Sequence, residues 1–288
     1  MDLGARSVGG VSAPAGAPGT GAPEVSDPST APSMPRLRLL GMGRLVDPDG
    51  RDLSLQYRKG WALLGYLAVE RDRRHAREQL AALFWPELGA AAARTNLRQV
   101  LADLQETFRR LGLEGLIAAD RDTIGLLPGR RSRVLFDIDL LDPLIVPEDD
   151  AVEALAGPSW HHAGMLLESV RMDGCSEFED WLQYTRQHFF RREVRLMERL
   201  RARYRAERRH AEAADIAHRL VRIDGWNEAH HRALMEILAA DGARHHALQV
   251  YAELERNLRR SLDCEPDPLT RALREEIAGA ARAAGSPA

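Results

Sequence analysis

The stretch AAARTNLRQVLADLQETF, residues 91–108, decides the fold. Its apolar residues Leu97, Val100, Leu101, Leu104 and Phe108 are spaced three, one, three and four apart, a single narrow stripe at the period of an α-helix. Turning about 100° per residue from Leu97 places Thr95, Gln99 and Ala102 on the opposite face, with Asn96 and Arg98 on its flanks. That outward face is polar and small. Arg forks onto guanine, Asn or Gln pairs with adenine, and a side chain as short as Ala permits close approach, so the face suits a DNA major groove. A solvated amphipathic helix has the same pattern, and the helix alone leaves both readings open.

The neighbouring segments favour the first reading. Upstream, residues 36–57 carry Leu37, Leu39, Leu45, Leu53 and Leu55 at alternating positions, broken by Asp47-Pro48-Asp49-Gly50, the signature of short antiparallel strands around a turn. From Arg58 the period changes, and Trp61, Leu64, Leu67 and Ala68 share one helical face. A second helix over Gln79–Trp85 is predicted to stop at Pro86, which lacks an amide proton and disfavours helix in the residue before it. Downstream, LIAADRDTIGLL (116–127) reads as two strands around Asp120-Arg121-Asp122. Strands, three helices and a hairpin are the order of a winged helix. In helix-turn-helix geometry the recognition helix presents its N-terminal residues to base edges. Arg121, at the hairpin tip, is placed to reach a phosphate or the minor groove, or is simply an exposed turn residue. Gly41-Met42-Gly43 leads to a turn and not to a helix, so it is a bend and not a phosphate loop.

The whole chain, 288 residues, has 40 basic and 43 acidic side chains and a net charge of −3, which at first argues against a nucleic-acid partner. Divided, the charge tells a different story. A Gly/Ala/Pro/Ser-rich tail over residues 1–34, expected to be disordered, carries −2; residues 35–142, with 18 basic and 15 acidic groups, carry +3; the remainder carries −4. The tail has no basic start followed by an apolar run, so no secretory signal is expected. No apolar run approaches the roughly 18–20 residues of a membrane span, and a soluble, cytoplasmic protein with no membrane partner is expected. Cys175 and Cys264 stand far apart with no CxxC, which predicts neither a disulfide framework nor a zinc cluster.

The second half reads as helix. PLIVPEDD (143–150) breaks the chain, a short helix follows around Val152–Ala156, and Ser176–Arg208 shows Phe178, Trp181, Leu182, Phe189, Met197, Leu200 and Tyr204 at three- and four-residue steps or their sums. This is one long helix or two, with Ser176 and Glu179 as a capping box at its start. His210-Ala211-Glu212-Ala213-Ala214 is echoed by Arg244-His245-His246-Ala247-Leu248, and Ala213 to Ala247 is 34 residues, the tetratricopeptide period. The second helices match at a spacing of 39, the extra residues falling in the loop 261–268. Stacked helical pairs form a curved surface for a polypeptide or a neighbouring subunit. The adjacent pairs His161-His162, His230-His231 and His245-His246 point about 100° apart on a helix, a poor metal arrangement. Phosphate-loop, nucleophile-elbow and dinucleotide signatures are missing, so no enzyme, catalytic residue, metal or cofactor is expected. Trp181 and Trp226 are both expected to pack.

With these pieces in place the chain resembles a known family. RLRLLGMGRLVDPDGRDLSL, RKGWALLGYLAVERDRRHAREQLAALFWPE and AARTNLRQVLADL are similar to the winged-helix domain of antibiotic-regulatory-protein type transcriptional activators. SEFEDWLQYTRQHF, IDGWNEAHHRALMEILAADGARHHALQVYAELERNL and CEPDPLTRALREEI are similar to the bacterial transcriptional activator domain that follows it there. The fold class expected is mainly α: an α+β winged helix-turn-helix domain over 35–142, then an all-α tetratricopeptide-like repeat domain over 150–283.

The resemblance implies a promoter-repeat reader that binds double-stranded DNA as a homodimer and helps recruit RNA polymerase. It assigns base reading to Arg94, Thr95, Asn96, Arg98 and Gln99, places Arg121 and Thr123 in the wing, and makes Arg58, Lys59 and Arg77 candidates for phosphate contacts. No nucleotide-binding ATPase module is seen after the helical domain, so ATP-driven control in cis is not expected. One departure stands out. Asp103, Gln105 and Glu106 occupy positions that are usually basic in relatives. They are expected to weaken the sequence-independent share of DNA affinity, and they sustain a second reading, an adaptor that has lost DNA binding and holds a protein partner with its helical repeats.

Overall fold

The computed structural model describes residues 34–71, 73–127, 134–156 and 164–284. The tail expected over 1–34 lies almost wholly outside the described residues, as does His161-His162. All described residues belong to the compact unit Met34–Ala288.

Strands β1 (Arg36–Arg38), β2 (Arg44–Val46) and β3 (Asp52–Leu53) form the expected antiparallel meander, with Leu37 opposite Leu45 and Leu45 opposite Leu53. The alternation places Leu37, Leu39 and Leu45 in the core. The turn closes through Gly50 N–H to the Asp47 carbonyl at 3.0 Å, with Gly50 in the left-handed region at φ 83°. Helix α1 (Arg58–Val69) follows. Gly43 sits so close to it that a Cβ there would lie 2.6 Å from the Trp61 ring, so this glycine of the bend is required by packing.

Strand β4 (His75–Ala76) leads into α2 (Arg77–Phe84), then α3 (Ala90–Arg110) and the hairpin β5 (Ile117–Ala119) and β6 (Thr123–Leu126). A second sheet has the order β4-β6-β5. The hairpin was legible in the sequence; β4 was not, because two residues carry no period. Strand β7 (Leu135–Phe136) pairs parallel to β1 and opens a 3-10 helix, Asp137–Leu141.

The Asp137 carboxylate accepts the backbone N–H groups of Leu39 (2.8 Å) and Leu40 (3.0 Å), tying this connection to the end of β1. Burial pushes its pKa up to about 6 despite those two donors, which favour the charged form. The folded protein therefore holds a proton on Asp137 where the unfolded chain has released it. That contribution to stability is complete below the ordinary carboxylate pKa and is lost as pH rises through about 6. Thermal unfolding between pH 4 and pH 7 should show this falling component, and Asp137→Asn should remove it while lowering stability at every pH; an unchanged pH profile in the variant would contradict the assignment.

The rest is helical: α4 (Glu148–Ala156), α5 (Ser176–Ala206), α6 (His210–Ile223), α7 (Glu228–Ala240), α8 (Arg244–Leu262) and α9 (Pro268–Ala284). Helix α5 is continuous over the segment that left one helix or two open. Its expected capping box does not form. The N-cap is Cys175, Ser176 already lies in the helix, and Glu179 turns its carboxylate back to the Met172 N–H at 3.3 Å. In the repeat, Ala213 and Ala247 occupy matching, fully buried positions. Helix α8 ends at Asp263 in a left-handed conformation, φ 49°, and α9 starts on Pro268, whose missing N–H costs nothing in a first turn. Trp226 departs from expectation: it is 53% exposed, on the turn between α6 and α7, while Trp181 packs as expected and donates its ring N–H to Glu70 at 2.9 Å.

One continuous core joins the sheet-bearing part to helices α4–α7, and a second, smaller one of Met235, Ala247, Tyr251 and Ile277 holds α8 and α9. Phe84 packs its ring against Phe178 of α5 and Tyr66 against Trp181, with His75 edge-on to Tyr66 behind them. The segment 164–170 runs back along the first sheet: Met165 O accepts from Gly41 N–H, Leu167 N–H donates to Leu39 O, both at 2.8 Å, and Leu40 bridges Leu166. Leu167, at φ 49°, presses its side chain onto Gly65, where a Cβ would lie 2.5 Å away. Arg186 of α5 clamps this strap by donating to the Leu166 and Leu167 carbonyls at 2.7 Å.

Candidate nucleic-acid interface

Helix α3 buries Leu97, Val100, Leu101, Leu104 and Phe108, the five stripe residues. With that side fixed, Arg94, Thr95, Arg98, Gln99 and Ala102 are exposed and Asn96 is half-buried on the flank. The helix starts after Gly89 with no acidic residue in its first turn, so the partial positive charge of its N-terminus is not neutralised there. Ala90, Ala91 and Ala92 keep that first turn thin and exposed.

Five of the ten residues singled out thus share one surface. Thr95 donates back to the Ala91 carbonyl at 3.0 Å and accepts from Arg98 Nη2 at 3.0 Å. Arg94 reaches Glu78 of α2 at 3.4 Å. Asn96 and Gln99 make no side-chain hydrogen bond among the described residues, so their amides answer no structural demand.

The wing is held from below. Asp120 accepts the Asp122 and Thr123 N–H groups at 2.9 and 2.7 Å, which draws its carboxyl below the usual range. Arg77 donates to the Asp120 carbonyl at 2.7 Å, and its own N–H bonds the Asp122 carbonyl at 2.9 Å. Thr123 accepts from Arg74 Nε at 2.8 Å, and Arg74 also pairs with Asp120 at 2.7 Å. Arg77 and Thr123 therefore shape the wing, while Arg121 is left exposed at its tip with no partner among the described residues. Arg74 was missed by the sequence reading; the basic run Arg71–Arg77 was the available signal.

Arg58 is exposed at the first turn of α1. Lys59, its neighbour, is turned inward: its ammonium donates to the Phe84 carbonyl and lies 4.8 Å over the Trp85 ring. The structure does not gather Lys59 with the exposed cations. The acidic residues of α3 also have structural partners. Asp103 accepts the Gln56 N–H at 2.9 Å, anchoring the chain ahead of α1. Arg109 and Arg110 both bond Glu106 and draw its pKa down to about 2, so its charge is offset within its own helix.

Residues 150–278 match the family model of the bacterial transcriptional activator domain. The chain carries a bacterial transcriptional activator domain. Strands, three helices and a hairpin, the order of a winged helix, precede the matched segment. Among solved structures the chain is similar to Mycobacterium tuberculosis EmbR in complex with a low affinity phosphopeptide, with TM-score 0.57 and 18% identity, over 85% of this chain and 65% of that one. The chain thus spans about two thirds of the length of EmbR, and the likeness is one of fold. No curated protein matches the chain. No helix among the described residues is long and apolar enough to cross a membrane, and no group of three or more His, Cys, Asp or Glu there is placed to hold a metal ion.

Proposed function

We propose that the chain is a sequence-specific DNA-binding activator. In this reading residues 35–142 read promoter repeats in double-stranded DNA, and residues 150–283 make the contacts with a second copy or RNA polymerase. The observation that carries the reading is the outward face of α3, where Asn96 and Gln99 have no structural partner and Arg98 is held only by Thr95. Asn96, Arg98 and Gln99 are assigned to base edges and Arg94 and Thr95 to the groove entry. Arg58 is assigned to a phosphate and Arg121 to the wing contact, with Arg77 and Thr123 holding the wing in place. DNA binding is favoured over the adaptor reading by Glu106, one of the acids that sustain the latter, being offset by Arg109 and Arg110.

Asn96→Ala and Arg98→Ala should each cost about 1–3 kcal/mol on the cognate site, the range of a good base contact, and little on random DNA. Arg58→Ala should weaken binding to all sequences and reduce the salt slope by about one. Lys59→Met should register in thermal stability, because its ammonium serves the fold. Mobility-shift titrations at two salt concentrations on cognate and random fragments separate these outcomes; equal losses on both fragments for the Asn96 and Arg98 variants, or a loss confined to the cognate fragment for Arg58→Ala, would sink the assignments.

A further inference from the structure

Between α2, the turn into α3 and the first residues of α5 lies a cleft of about 450 Å³, within the range of small-molecule sites. Ala81, Trp85 and Ala93 form its buried floor, Leu88 stands at its mouth, and Cys175 and Ser176 close the side formed by the activator domain. The apolar lining accounts for a hydrophobic body. The charges at the rim decide what that body must carry. Glu78 and Glu177 line the cleft against a single cation, Arg94. Burial raises the Cys175 thiol, the Lys59 ammonium opposes that rise, and Glu87 and Glu179 add to it; Lys59 itself is engaged by the Phe84 carbonyl and sits 3.9 Å from Glu87. The lining thus holds two carboxylates against one guanidinium, one negative charge in excess.

We propose that this cleft binds a small apolar molecule bearing a protonated amine, and that the amine takes over Glu78 from Arg94. The Glu78–Arg94 contact is long, 3.4 Å, between side chains 82% and 48% exposed. Such a pair is weak, so a ligand ammonium seated on an apolar floor displaces it readily. Arg94 stands at the entry of α3, and its release adds a cation to the face assigned to DNA; the coupling therefore rests on the DNA-binding reading, whereas the binding site does not. Because an exposed pair contributes so little, freeing Arg94 should tighten DNA binding by no more than about fivefold. Linkage requires DNA to tighten the amine by the same factor.

The test uses the full chain and three probes of equal shape: phenylbutylamine, phenylbutanamide and phenylbutanoate. Titration calorimetry should show the amine binding about threefold or more tightly than the amide, with the carboxylate weakest. Glu78→Gln should abolish the preference for the amine, and Ala82→Phe, which fills the cleft from an exposed position on α2, should weaken all three probes. Equal affinity for amine and carboxylate, or binding unchanged by Ala82→Phe in a variant that still melts cooperatively, would overturn the site. Mobility shifts with saturating amine should show tighter DNA binding in the wild type and no change in Glu78→Gln or Arg94→Ala. Amine binding with unchanged or weakened DNA affinity would overturn the coupling. Failure of the ligand-free protein to bind DNA would instead count against the DNA-binding reading, leaving the calorimetric result to decide the site.

Discussion

Replacing Phe84 by Ala is expected to destabilise the fold by about 3–5 kcal/mol, a large share of the roughly 5–15 kcal/mol that holds a protein folded. Phe84 is fully buried, 0% exposed, at the C-terminal end of α2. Its ring centroid lies 5.1 Å from Phe178 of α5, 6.1 Å from Tyr66 of α1 and 6.2 Å from Trp85. The loss is at the upper end because the site cannot collapse. The backbone around it is pinned where the Phe84 carbonyl accepts from the Lys59 ammonium and, at 3.4 Å, from the Cys175 thiol. A cavity there separates the helix-turn-helix from α5, so denaturant unfolding should lose both stability and cooperativity. A loss below about 1 kcal/mol, the scale of a surface substitution, would contradict the shared core.

Arg71→Met should cost about 3 kcal/mol, the lower end for breaking a buried ion pair. The Arg71 side chain is 2% exposed. It bonds Asp139 and reaches Asp142 at 3.9 Å, carboxylates of the 3-10 helix and its exit that keep 20% and 25% of their surface in solvent. Removing the cation leaves two acids facing an apolar side chain, and their partial access to water is what keeps the loss from being larger. Because the harm comes from the abandoned charge, Arg71→Met combined with Asp139→Leu should recover part of the stability. A double variant no better than the sum of the single changes would show that the pair acts through packing alone.

The sequence disclosed whatever repeats. The five-residue stripe of α3, the alternating leucines of β1 to β3 and the matched alanines 213 and 247 are periodic, and a period survives without knowledge of what packs against it. Pairings between distant short segments left no such trace. Strands β4 and β7 have two residues each, and the strap 164–170 depends on Leu167 holding a positive φ against Gly65. The outward face of α3 was legible because exposure is the complement of the stripe. Side-chain allegiance was not: Lys59 is drawn inward by a carbonyl that comes from 25 residues away, Arg74 enters the wing through Thr123 and Asp120, and Asp103 serves the chain at Gln56. The charge balance gained in meaning once partners were visible: Glu106 is offset by Arg109 and Arg110 of its own helix, while Asp103 is engaged by the neutral Gln56 N–H.

In the proposed reading the exposed face of α3 contacts base edges. The most direct test is the DNA that the full chain selects from a random pool, compared with the DNA selected by Arg98→Ala. The wild type is expected to enrich a motif repeated at a fixed spacing, as symmetric or tandem docking requires, and the variant to relax the preference at one position of that motif. Recovery of unenriched DNA by the wild type, or the same motif at full strength from both proteins, would contradict this reading.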